Sequence, residues 1–259
     1  MSSYARSPSL STSRIASPYT GRGRKVKAVA NVAPNKTQMT VISWENVLVP
    51  LDWMAAYLGL GLTDASIEMA VMRCQSSQDL LYSLAMIEDQ IMGLLMQSMQ
   101  LIDGPLVIVS EYTTMYVERV CSLFFPRLTA GLRSSTTGIY VVGTPNTQLT
   151  TLEMKQWKVN LLHTAILERL FARIPEDVAT KLLGRSASGR IKVVALCASE
   201  NDMTAASAVR LIAPNAIIKR IKVQGAGATF SHSSQTPVSL DDFYDQLQGL
   251  SRFVGQSAN

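Results

Sequence analysis

The residues that could do chemistry in this chain are few, and they gather at the ends of apolar runs. "MTVIS" ends in Ser43, with Glu45 two residues on; "GPLVIVS" ends in Ser110; "IKVVALC" runs into "ASEND", which brings Glu200 and Asp202. A serine hydroxyl becomes a nucleophile only when a base takes its proton. A carboxylate serves acid–base work only if its reach is right to within about 1 Å. The chain has two histidines, His163 and His232, and neither stands in a recognisable nucleophile setting. Its three cysteines, Cys74, Cys121 and Cys197, are odd in number and unevenly spaced. That spacing argues against a disulfide framework and a zinc site, and for a reducing, intracellular compartment.

The elements that must carry these residues alternate. Strands are expected at 39–43, 104–110, 138–143, 191–197 and, as an edge strand, 218–223. Between them, residues 53–101 have helical spacing and should form two or three helices, broken at Gly59 and Gly61, with Thr63 capping one. The methionines Met86, Met92, Met96 and Met99 form a stripe that reads as core. A helix through 112–128 should stop at Pro126; others follow at 151–171, after 202, and at the C-terminus behind a Ser239 cap. The stretch 224–237 reads as a loop. This order predicts an α/β, Rossmann-like three-layer sandwich, with a mostly parallel sheet and helices on both faces. In that architecture ligands bind at the carboxyl ends of the strands, where the polar residues above collect.

Charge divides the chain. Residues 1–37 hold seven of the 24 basic residues and no acidic one, so the remainder carries 17 against 19. This Ser-, Pro- and Arg-rich stretch buries too little apolar surface to offset its ordering entropy and is expected to be a disordered arm, leaving 38–259 as the α/β domain. Arg6, Arg14, Arg22, Arg24, Lys25 and Lys27 would let it lie along an acidic partner. With Tyr19 as an aromatic of its central part, base stacking has little to work with, so a protein polymer ranks above a nucleic acid. Ser7-Pro8 and Ser17-Pro18 are phosphorylation candidates, and the acid-poor N-terminus weakly resembles an organelle transit peptide. No apolar run is long enough to span a bilayer; the best are broken by Asp89, Gln97 and Asp103.

The ordered set of landmarks resembles the haloacid-dehalogenase-like phosphatases, in particular a group with little or no cap domain. Their first strand ends in a stretch like Asp-Trp-Asp-(Asp/Asn)-Thr-Leu-Leu-Pro. In "SWENVLVP", Trp44, Asn46, Leu48 and Pro50 fall into register. "IVSEYTTMYVERVCSLFFP" is similar to the second strand and its helix through Ser110, Val117, Glu118 and Pro126, and Trp157-Lys158 matches a Trp-Lys pair opening a later helix. "LCASEND" stands where the family has Gly-Asp-Ser and an acidic residue. The resemblance spans 39 to about 252.

What it implies is a reaction this chain departs from. In the family the first aspartate takes the phosphoryl group, the second protonates the leaving oxygen, and a fourth-strand aspartate helps hold magnesium. The corresponding positions here are Ser43, Glu45 and Ala198. The expectation is a catalytically inactive pseudophosphatase with no cofactor and no small-molecule substrate, acting as a structural or binding part of a protein assembly such as a cytoskeletal filament, in the cytoplasm. Ser110 and Lys158 could retain phosphate binding; alternatively Ser110 caps the next helix and Lys158 pairs with Glu45. A divergent phosphatase would have to bind Mg2+ through Glu45, Glu200 and Asp202.

Overall fold

The computed structural model describes residues 37–102, 104–133, 138–145, 148–174, 176, 179, 190–223 and 236–258. The arm with Arg6, Arg14, Arg22, Arg24, Lys25 and Lys27, together with His232 and most of the 224–237 stretch, lies outside them. All described residues belong to one compact unit, Val32–Asn259.

Five strands form one parallel sheet: β1 (Gln38–Ser43), β2 (Leu106–Ser110), β3 (Ile139–Gly143), β4 (Lys192–Cys197) and β5 (Ile217–Lys222). Their order is β3-β2-β1-β4-β5, which makes β1 central. Register pairs Ser43 with Val109 and Ile42 with Leu196. β1 and β2 are buried along their whole length, as a parallel strand covered on both faces must be, which explains the apolar run of β2 and the mainly apolar β1, where Gln38, Thr40 and Ser43 are buried polar exceptions. The outer strands differ. β3 is half-buried throughout, and β5 exposes Ile217 beside Lys219, Arg220 and Lys222, charges that discourage edge-to-edge pairing.

The helices are α1 (Leu51–Trp53, continued by a π-helical turn, Met54–Leu58), α2 (Asp64–Gln75), α3 (Gln78–Leu101), α4 (Thr114–Phe124), α5 (Pro126–Arg133), α6 (Thr151–Ala165), α7 (Glu200–Ala208) and α8 (Leu240–Ala258). One core layer packs α3, α4, α5 and α8 against Ile42, Ile108, Val194 and Leu196; the other packs α6 and α7 against Met39, Val41, Val107, Val109, Val193 and Ala195. The two sets alternate along each strand, as period-two side chains must. The expected three-layer sandwich is therefore the fold.

One expectation is met and extended, and one is corrected. α4 ends at Phe124, ahead of Pro126 as expected, and Pro126 also opens α5, where its missing N–H removes a donor that would have no partner anyway. The Met stripe is not the buried face of α3. Leu84, Ile87, Ile91, Leu94 and Leu95 take that face, while Met92 and Met99 pack at its flank and Met96 is exposed. The caps stand as expected at Thr63, whose hydroxyl accepts from Ser66 N, and at Ser239, which accepts from Asp242 N. At its other end α8 offers Ser257 O and Ala258 O to Lys219 Nζ at 3.2 Å and Lys192 Nζ at 2.9 Å, cations suited to a helix C-terminus.

Candidate functional site

The strand order reverses between β1 and β4, and the loops leaving those strands diverge there. Their carboxyl ends hold the polar residues singled out above.

The turn after β1 is tight. Asn46 takes φ 55°, a left-handed conformation that Asn tolerates better than most residues. Its N–H reaches Val49 O at 2.8 Å, its side-chain oxygen accepts from Asp52 N at 3.0 Å, and its carbonyl accepts from Gln246 Nε2 of α8. Trp44, fully buried, meets Tyr112 and Tyr116 edge-on with ring centres 6.3 Å away. This packing turns Glu45 inward. Its Oε1 accepts from Ser110 Oγ at 2.5 Å and from Glu111 N at 2.7 Å. Burial pushes the Glu45 carboxyl up to about 7, against the pull of Lys158 and the Ser110 hydrogen bond.

Asp202 is the hub of a second cluster. Its Oδ2 accepts from Ser43 Oγ at 2.9 Å, from Ala198 N at 3.0 Å, from Ser199 N at 2.9 Å and from Ser199 Oγ at 3.0 Å. Ser199 is the N-cap of α7, in a reciprocal capping box with Asp202. The other oxygen, Oδ1, accepts from Lys158 Nζ of α6, which also donates to Glu111 Oε1 at 2.5 Å. The Lys158 side chain is 4% exposed. Burial alone would raise the Asp202 carboxyl, but Lys158 and the surrounding donors hold it below the usual range. Burial alone would likewise lower the Lys158 ammonium, but Asp202 and Glu111 raise it instead. Both groups stay charged.

The structure thus brings Ser43, Glu45, Ser110, Lys158, Ala198 and Asp202 together, and corrects how they pair. Lys158 does not bond Glu45; Glu111 and Asp202 accept its hydrogen bonds. Ser110 does not cap the next helix: Thr113 Oγ1 accepts from Tyr116 N, while Ser110 Oγ binds Glu45 and accepts from Tyr112 N. Glu200 stands apart, paired with Lys222 at 2.6 Å on the surface. The set Glu45, Glu200 and Asp202 does not fit a magnesium ion, because each carboxylate is engaged separately and Asp202 has donors on both oxygens. Among the described residues no three metal-ligating side chains of His, Cys, Asp and Glu converge.

Chemically, the arrangement can hold charge but has little room to process a substrate. Ser43 is 4% exposed and donates its hydrogen bond to a carboxylate held below the usual range, a poor base for drawing out a nucleophile. The cavity touching Ser43, Lys158, Cys197 and Asp202 is about 10 Å3, room for one water at most. Glu111 was missed by sequence reasoning. Its signal was position alone, directly after Ser110 at a carboxyl end in a parallel sheet.

His163 Nε2 lies 2.9 Å from Ala208 O, a contact between α6 and α7 away from this centre. The three described cysteines are reduced and buried. No helix among the described residues is long and apolar enough to cross a membrane. Comparison with known proteins adds no neighbour: no family model, curated protein or solved structure matches this chain.

Proposed function

We propose that this chain is a haloacid-dehalogenase-like pseudophosphatase, a rigid α/β body that serves as a structural or binding part of a protein assembly, with its basic arm as the anchor. One observation supports the loss of chemistry above the others. Lys158, the cation a phosphate would need, is buried between Glu111 and Asp202. One positive charge facing two carboxylates leaves the cluster net negative before Glu45 is counted. A phosphate monoester would enter a buried site of its own sign, and low local dielectric strengthens that repulsion. Freeing Lys158 would strand two carboxylates without their partner, and breaking such a pair costs about 3–5 kcal/mol.

A partner of acidic, polymeric character, such as a cytoskeletal filament in the cytoplasm, suits an arm of seven cations without an acidic residue. The domain itself, at 17 basic against 19 acidic residues, offers such a partner no net attraction.

The test of inactivity is a phosphatase assay on the purified chain with magnesium and an aryl phosphate, run beside Glu45→Gln. The expected result is equal, background hydrolysis for both. Turnover by the parent that Glu45→Gln loses would overturn the proposal and make Glu45 the acid of a working enzyme.

A further inference from the structure

A second concavity lies on the other flank of α6. Lys158 and Leu162 face the Ser43 cluster, while Trp157 and Leu161 line a pocket of about 380 Å3 over β2 and β3. That size falls in the range of small-molecule sites, roughly 300–1,000 Å3. It exists because helical cover runs out at this edge: β2 is buried along its length, but β3 is only half-buried. Val107 and Val142 form an apolar floor, and Tyr140 and Trp157 supply two aromatic rings.

The polar groups at this pocket restrict what can enter. Arg169 holds its guanidinium over the Tyr140 ring, 4.5 Å from its centre, and among the described residues it has no carboxylate partner. A guanidinium over a ring keeps N–H groups free at its edge, a fork suited to a carboxylate. Glu168, beside it, also lines the pocket and likewise has no cationic partner among the described residues. The pair sums to zero, so a ligand with one negative charge can settle on Arg169, whereas a second negative charge meets Glu168. That balance favours a flat, singly charged ring acid over nucleotides and other polyanions.

We propose that the pocket between α6 and the β2–β3 edge binds a planar aromatic monocarboxylate, its ring against Trp157 over the Val107–Val142 floor and its carboxylate on the Arg169 guanidinium that Tyr140 holds in place. This does not depend on the inactivity of the Ser43 cluster, from which it is separated by α6.

The experiment titrates the full chain with three naphthalenes of one shape: 2-naphthoate, neutral 2-naphthamide and naphthalene-2,6-dicarboxylate. Binding is followed by ligand fluorescence and calorimetry. We expect 2-naphthoate to bind about tenfold more tightly than the amide, the worth of a charge-assisted hydrogen bond. Arg169→Gln should erase that difference, and Glu168→Gln should improve binding of the dicarboxylate. Trp157→Phe, which preserves a ring at that wall, should retain the preference for the acid. Equal affinity for acid and amide, an unchanged preference in Arg169→Gln, or no binding of 2-naphthoate would each overturn the proposal. Thermal melts of the variants check that each is folded, so that loss of binding is read from intact protein.

Discussion

Glu45 and Asp202 are buried carboxylates whose protons are held in opposite ways. Burial raises Glu45 to about 7, while Lys158, its effect opposed by burial, keeps Asp202 ionised at low pH. Each leaves a mark on stability. Glu45 in the folded chain binds its proton more tightly than in the unfolded chain, so its contribution is fully present below about 4.5. It is lost as pH rises toward about 7, because the unfolded state gains from ionising while the folded state does not. A rise from 4.5 to about 7 corresponds to roughly 3–4 kcal/mol, at about 1.4 kcal/mol for each tenfold change in proton affinity. Asp202 has the reverse sign: its contribution is present above the unfolded value and lost as pH falls through the lowered one. The contributions of the two groups are fully present together only between their unfolded values of 3.8 and 4.5, on the acid side of neutral. Urea unfolding at fixed intervals from pH 4 to pH 8 should show stability falling through pH 5–7, and Glu45→Gln should flatten that fall. A parent whose stability holds or rises across this window would contradict the arrangement of Glu45.

At the scale of elements, the site depends on strand ends held at close range. Gly143 closes β3 against the loop after β2. Its N–H donates to Thr114 Oγ1, and Thr144 N, next in line, reaches Ser110 O and Tyr112 O. A Cβ on Gly143 would lie 2.3 Å from Thr114 N and 2.4 Å from Tyr112 O, both backbone atoms that cannot step aside singly. Gly143→Ala should therefore destabilise by at least the roughly 1–3 kcal/mol of ordinary overpacking, read as a lower denaturation midpoint. A variant as stable as the parent would show that the loop carrying Glu111 moves freely.

Such close approaches explain what could and could not be read from sequence. The strands were legible because central parallel strands are buried on both faces and so mainly apolar, as β1 and β2 are. Caps were legible because Thr63 and Ser239 act within their own helix. Partners distant in sequence were not: Lys158 meets Asp202 44 residues on and Glu111 47 residues back, and no local pattern marks either pair. The Met stripe misled because both it and the Leu/Ile stripe have helical period. Only packing against α8 and the sheet decides which face is buried.

For the whole molecule, the distribution of charge separates the arm's proposed work from the domain's. The chain carries +5, but residues 38–259 without the arm would carry −2. Among the described residues, core, sheet and the Lys158 cluster are built from residues after 37, so removing 1–37 should leave the melting midpoint of the domain unchanged. Binding to an acidic polymer should behave differently. An arm that supplies the attraction makes attachment fall steeply with salt, because exposed charges are screened beyond roughly 10 Å at 0.1 M. Co-sedimentation with a polyglutamate-coated matrix or an acidic filament, from low to moderate salt, reads this directly. The full chain should be retained and released by salt, and the truncated chain, now net negative, should stay in the supernatant throughout. Equal retention of the two would place the attachment on the domain instead, despite its net charge of the wrong sign. Loss of the melting transition on truncation would mean that 1–37 is part of the folded body and not an arm. Both outcomes are distinguishable because one is read from sedimentation and the other from unfolding.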